Sequence, residues 1–249
     1  MIYYFSATGN SRHTAKRLGE ALNESVVSVL DVEYPVKVGS GERMILVYPN
    51  YCCGVPIMIR HFLQEGIFEL AEDAELILVV IYGNNTGAND RIAPKYFKGN
   101  TGRVFDAMYS VKMPDNWTPH FDLSDPAFVA ELVREGDVQI DGVIEKILSG
   151  AKGDFIENKL DERAEGIHEG FYHELSKTSH LAVEDHCIGC GLCAEKCPVQ
   201  AIEMRDGKPF WVPDNCAMCL GCLHRCPVFA IQYDNQTKNH GQYLHPDEK

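Results

Sequence analysis

The chain has 249 residues, 45% of them hydrophobic, enough for one large domain or for an ordinary domain and a small one. Its longest apolar run, residues 76–82, is strand-sized and far short of the ~18 residues that cross a bilayer, so no membrane span is expected. A formal net charge of −13, from 36 acidic and 23 basic residues, repels a phosphate backbone and argues against nucleic acid as a partner.

The N-terminus opens directly into the apolar run Ile2-Tyr3-Tyr4-Phe5, with no basic segment and no small-residue cleavage site, which makes the cytoplasm the expected location. Residues 2–5, 26–32, 44–48, 76–82 and 104–111 have strand character, and 12–22 and 56–65 have helical spacing between them. That alternation predicts an α/β fold, a doubly wound parallel sheet of five strands in the order 2-1-3-4-5, with ligands at the strand carboxyl ends.

The first strand runs into Ser6-Ala7-Thr8-Gly9-Asn10-Ser11 and then a helix. Hydroxyls, a glycine that admits close backbone approach, and the unpaired N–H groups of a helix start together suit a phosphate. The same residues can also serve as an ordinary helix cap. The loop carries no lysine, which separates it from nucleoside-triphosphate loops. The loop resembles the phosphate loop of flavodoxins, which implies a flavodoxin-like fold and FMN as cofactor, held by Ser6, Thr8, Gly9, Asn10 and Ser11. The resemblance further implies ring contacts from the loops after the third and fourth strands. Here those loops supply Pro49, Asn50, Tyr51 and Gly54, and Tyr82, Gly83, Asn84, Asn85 and Gly87. Tyr51 is the candidate stacking face, and Gly54 the candidate for a peptide flip toward the flavin. Cys52 and Cys53 stand in the same loop, as small apolar fillers, a redox pair or a substrate contact; a disulfide between neighbours would be strained.

Residues 128–148 carry a helical apolar pattern that closes the sheet. Beyond Ser149-Gly150, Ile156, Leu160, Ala164, Ile167, Phe171 and Leu175 recur at helical spacing, predicting a connecting helix with one buried stripe, weakened by Gly166 and Gly170.

Eight of the ten cysteines lie between positions 187 and 226. In a reducing compartment they indicate metal or redox chemistry. Cys187, Cys190, Cys193 and Cys197-Pro198 are repeated as Cys216, Cys219, Cys222 and Cys226-Pro227 at an offset of 29 (216 minus 187). Both copies read C-x2-C-x2-C-x3-C-P, the ligand run of bacterial two-cluster ferredoxins. Structural zinc would show two CxxC pairs and a longer loop instead. Three close thiolates wrap one cluster, and the proline turns the fourth toward the other. One [4Fe–4S] cluster then falls to Cys187, Cys190, Cys193 and Cys226, the second to Cys216, Cys219, Cys222 and Cys197. Ile188, Leu192, Val199, Ile202, Leu220, Leu223, Val228 and Ile231 recur at matching positions as an expected apolar shell.

The whole arrangement resembles fused flavodoxin–ferredoxin proteins of anaerobic bacteria, a likeness that extends to Met113-Pro114-Asp115-Asn116 and to the tail Tyr243-Leu244-His245-Pro246. The expected division is a flavodoxin-like FMN domain at 1–150, a helical connector at 151–180, a small α+β two-[4Fe–4S] ferredoxin domain at 181–234 and a polar tail at 235–249. It implies an electron carrier coupling one-electron to two-electron chemistry and working with redox partner proteins. The alternative is an FMN-dependent reductase of a small-molecule substrate. No nicotinamide motif is present, since Gly39-Ser40-Gly41 precedes its strand and has Met44 where a third glycine belongs. His13, His61 and His120 form no acid–base pair by spacing.

Overall fold

The computed structural model describes residues 1–212 and 216–248. In chain order the first half comprises β1 (Ile2–Tyr4), α1 (Asn10–Leu22), β2 (Val26–Ser28), β3 (Val36–Val38), β4 (Arg43–Pro49), α2 (Ile57–Glu65), β5 (Phe68–Leu70), β6 (Glu75–Tyr82), α3 (Asn89–Thr101), β7 (Ala107–Lys112), α4 (Pro126–Leu148) and β8 (Gly153–Phe155). The second half comprises α5 (Arg163–Leu175), β9 (Leu181–Val183), α6 (Leu192–Glu195), β10 (Ile202–Arg205), β11 (Lys208–Trp211), α7 (Gly221–His224), β12 (Ile231–Tyr233) and α8 (Thr237–His240).

The central sheet is parallel and runs β2-β1-β4-β6-β7-β8. It therefore has six strands rather than the expected five; numbered within the sheet alone the order is 2-1-3-4-5-6. The extra strand, β8, pairs with Ala107–Tyr109 and carries the sheet past residue 150. Three residues are too few to show a period, which is why the segment read as helix. The central strand β6 shows why both faces are covered. Leu76, Leu78 and Val80 point into one core with Phe62, Leu63 and Phe97 of α2 and α3. Ile77, Val79 and Ile81 point into the other with Leu18, Ile140 and Val143 of α1 and α4. Each such side chain contributes about 1.5–3 kcal/mol when fully buried.

Helix α3 carries Pro94 in its interior and Gly99 near its end, which masked it in the sequence. Two expected strands are shorter than their apolar runs: β2 ends at Ser28, and β7 starts at Ala107, leaving Val104 52% exposed. The connector is corrected more sharply. Ile156 and Leu160 precede α5, and Ile167 and Phe171 are 51% and 54% exposed. Of the expected stripe on α5, Ala164 is buried, and its face is completed by His168 and, one turn on, the half-buried Tyr172.

The cysteine-rich half repeats its architecture as it repeats its sequence: α6 and α7 start 29 residues apart (221 minus 192), as do β10 and β12 (231 minus 202). Strands β9 and β12 pair antiparallel, and β10 and β11 form a hairpin. Ile202, Leu220, Leu223 and Ile231 of the expected shell are buried, whereas Ile188 is 63% exposed. The tail is not a loose polar segment: Thr237, Tyr243 and His245 are buried. Among the described residues no helix is long and apolar enough to cross a membrane.

Candidate functional site

The carboxyl ends of β1, β4, β6 and β7 open onto a cavity of about 410 Å³, within the range of small-molecule sites. Ser6, Thr8, Asn10 and Ser11 line it from the loop after β1, Pro49, Asn50 and Tyr51 from that after β4, and Tyr82, Gly83, Asn84 and Asn85 from that after β6. The second and third loops are tied together at their base. Asn89 at the start of α3 accepts from the Tyr48 hydroxyl (2.9 Å) and donates to Asn50 Oδ1 (2.7 Å), while Asn50 donates to the Asn85 carbonyl (2.8 Å).

Three expected contacts do not line the cavity, each for a steric reason. Gly9 opens α1 with φ +108°, and a Cβ there would lie 2.5 Å from Glu248 Cγ; it faces the tail. Gly87 has φ +59°, and its Cβ would lie 2.1 Å from the Cys53 carbonyl oxygen. Gly54 has no room for a Cβ because the His168 ring stands 2.6 Å away. The left-handed residues of the β4 loop are Cys52 and Cys53 (φ 48° and 64°). They are the centre of a tight turn in which Tyr51 and Gly54 exchange both backbone hydrogen bonds. The Cys53 carbonyl accepts from Ala88 N–H (2.8 Å) and the Cys52 carbonyl faces His168 Nδ1 (2.9 Å). Two non-glycine residues in this region cost about 1–2 kcal/mol each, a strain held by those neighbours. Burial, and then Cys53, pushes the Cys52 thiol up to about 12, a shift that disfavours the thiolate.

The cavity fits a phosphate-bearing, partly aromatic ligand. Among the described residues, the buried Ser11 hydroxyl has no partner and α1 has no side-chain cap, leaving an anion-ready helix start. Tyr51 is buried, and its ring meets Phe5 edge-on at 6.3 Å. Burial holds the Asp115 carboxyl above its ordinary range, against the N–H groups of Trp117 and Asn84 that favour its charge. Sequence reasoning missed the outer walls: Trp117 and Phe121 after β7, Phe171 of α5, and His180, Met218 and Tyr233 of the cysteine-rich half. Only Met113-Pro114-Asp115-Asn116 pointed to that side. His120 lines the cavity; His61 is exposed on α2.

The eight motif cysteines surround two further cavities. One is lined by Cys187, Cys190, Cys193 and Cys226, the other by Cys197, Cys216, Cys219 and Cys222. All are free of disulfides. Burial pushes the Cys219 thiol up to about 12 and Cys222 well above the ordinary value. The second cavity adjoins the large one: Met218 and Tyr233 stand in the walls of both. The first set includes the exposed Cys190 and its cavity shares no lining residue with the large one.

The tail closes over α1. The rings of His13 and His245 stack at 4.0 Å, and His13 reaches Asp247 (2.6 Å) and Asp137 (2.7 Å). Burial, then His13, holds the His245 imidazole down at about 4; Asp247, Asp137 and Glu248 pull the other way without prevailing. A folded-state pKa below the ordinary 6.5 means that docking of the tail is fully supported above pH 6.5 and weakens as pH falls toward about 4. An NMR titration, with His245→Asn as assignment control, is expected to place the His245 midpoint near 4, well below the ordinary 6.5. A midpoint near 6.5 would show the ring to be solvated.

A parallel six-stranded sheet with helices on both faces is consistent with a flavodoxin-like fold, and the cysteine-rich part carries a 4Fe-4S ferredoxin-type domain. Residues 186–231 match the family described as the 4Fe-4S dicluster domain. The chain is 37% identical over 90 residues to the protein NrdI of Bartonella tribocorum, an alignment covering 34% of this chain and 60% of that one. It is 65% identical over 26 residues to the pyruvate synthase subunit PorD of Thermotoga maritima (10% of this chain, 26% of that one). With PorD of Methanothermobacter marburgensis it shares 62% over 24 residues (10% and 30%). The chain thus spans less than two thirds of each of these relatives. No solved structure matches it.

Proposed function

We propose that the protein is an electron-transfer iron–sulfur flavoprotein that passes electrons between two [4Fe–4S] clusters and FMN. A distal cluster is held by Cys187, Cys190, Cys193 and Cys226, a proximal one by Cys197, Cys216, Cys219 and Cys222, and FMN occupies the cavity at the strand ends. The observation that carries this reading is the shared wall: Met218 and Tyr233 line both the cavity of the proximal cysteines and the large cavity. The unpartnered Ser11 hydroxyl and the open start of α1 suit the cofactor's phosphate. FMN when bound supplies the exchange between one-electron and two-electron traffic. The chain's own residues hold it, exclude water and shorten the gap to the cysteines. The domain division proposed is 1–150, 151–180, 181–234 and 235–249, with β8 and the tail docked against the first part.

Redox proteins are the partners this arrangement serves, meeting the distal cluster near the exposed Cys190 and Ile188. A second reading, reduction of a small molecule at FMN, is favoured by the aromatic outer walls Trp117, Phe121 and Phe171. Anaerobic mixing of the cofactor-loaded protein with a reduced low-potential ferredoxin tests both. Bleaching of the clusters followed by the flavin, with no oxidation by added small acceptors, supports the carrier. Reoxidation by one such acceptor, at a rate that saturates with its concentration, supports the reductase. A flavin that stays oxidised while the clusters bleach overturns the intramolecular path.

A further inference from the structure

His224 lies on α7 between Cys222 and Cys226 and is fully buried. Two hydrogen-bonded arms run from its ring to the loop after β1. On one side, Nε2–H donates to the Asn116 carbonyl (2.8 Å), and Asn116 Nδ2 donates to Thr8 Oγ1 (3.0 Å). On the other, Nδ1 accepts from Tyr243 N–H (3.1 Å), and the Tyr243 hydroxyl donates to Asn10 Oδ1. The next residue adds a third connection. Arg225 donates through Nε and Nη2 to the Ala7 carbonyl (3.1 and 2.8 Å), and through Nη2 to Glu248 (3.1 Å), which also binds Arg12 (2.7 Å). The His245 N–H donates to the Thr8 carbonyl (2.8 Å).

These contacts decide how the loop presents itself. In a trans peptide the C=O and the following N–H point opposite ways. Arg225, by holding the Ala7 carbonyl, turns the Thr8 N–H away from the cysteine-rich half. His245 does the same for the next peptide, whose Gly9 N–H is taken by Ser6 Oγ (3.1 Å). A loop fixed before its ligand arrives spends less binding energy on ordering.

We infer that the tail and α7 form the rear half of the phosphate site, with Tyr243 and Arg225 as positioning residues for the phosphate. This rests on the FMN reading above. It predicts a selective defect, since riboflavin shares the ring but lacks the phosphate. Flavin fluorescence quenching on the cluster-loaded protein measures both affinities. Tyr243→Phe, which deletes one hydroxyl, is expected to weaken FMN about tenfold, as loss of one buried hydrogen bond implies, and to leave riboflavin unchanged. Arg225→Lys, which keeps the charge but cannot donate twice to Ala7, serves as the second variant, with iron content as the check on folding. FMN and riboflavin weakened equally in both variants, or neither affected, overturns the inference while the FMN reading stands. Wild-type protein that binds neither flavin sinks both.

Discussion

Replacing Cys219 by alanine is expected to cut the flow of electrons to the flavin while leaving riboflavin able to bind. Cys219 is one of four cysteines around the cavity that shares Met218 and Tyr233 with the large cavity at the strand ends, where the flavin is proposed to sit. Its removal should cost the protein about four iron atoms, one cluster's worth, and reduction by a low-potential ferredoxin should fall to the solution background. Replacing Cys190, in the distal set, is expected to cost the same iron but to leave the flavin in exchange with the proximal cluster when electrons come from a small chemical reductant. The contrast is read by iron analysis and by anaerobic bleaching of the two chromophores. Equal flavin reduction in both variants with the small reductant, and at wild-type rate, would mean that electrons reach the flavin without the proximal cysteines.

Gly9→Ala carries the largest expected effect outside the cysteines. The position has φ +108°, and an added Cβ would lie 2.5 Å from Glu248 Cγ and 2.6 Å from His245 Cβ. Strain of this kind costs about 1–3 kcal/mol, and the clash displaces the tail as well. Gly41→Ala provides the control, because Gly41 has φ +70° with nothing within 4 Å of its Cβ. Denaturant melts of the two variants separate strain from collision. Gly9→Ala should be the less stable, and it alone should weaken FMN, by about tenfold or more for each 1.4 kcal/mol lost at the site. Equal losses would show that the tail does not press on the loop.

Much of this architecture is legible in the sequence. The cysteine spacing speaks plainly because ligands of one metal centre must be close in space, and here most are close in sequence too. The repeat even anticipates which four cysteines share a cavity. Apolar strands alternating with helices likewise announced a parallel sheet, since strands buried on both faces need continuous runs such as residues 76–82. The hydroxyl-rich loop after β1 was visible as a pattern, but the tail that packs against its Gly9 was not. Gly9, Gly54 and Gly87 are small because the tail, His168 and the Cys53 carbonyl crowd them, and none of those neighbours is near in sequence. His168 was hidden because the more apolar Ile167 and Phe171 drew the helical stripe to the wrong face of α5.

The sequence by itself determined the chemistry the chain can hold: eight cysteines in two runs, a hydroxyl-rich loop after the first strand, and a sheet to present it. These follow from local rules, where the side-chain period, the helix start and the ligand spacing are read within a few residues. Only the tertiary structure decided how the two halves meet. The shared wall of Met218 and Tyr233, the His224 arms to Thr8 and Asn10, and the tail over Gly9 are all tertiary, and the His224 arms alone join residues 19 to 233 positions apart. Such contacts form when buried polar groups must find partners wherever the fold brings them, a demand that no local pattern in the chain records.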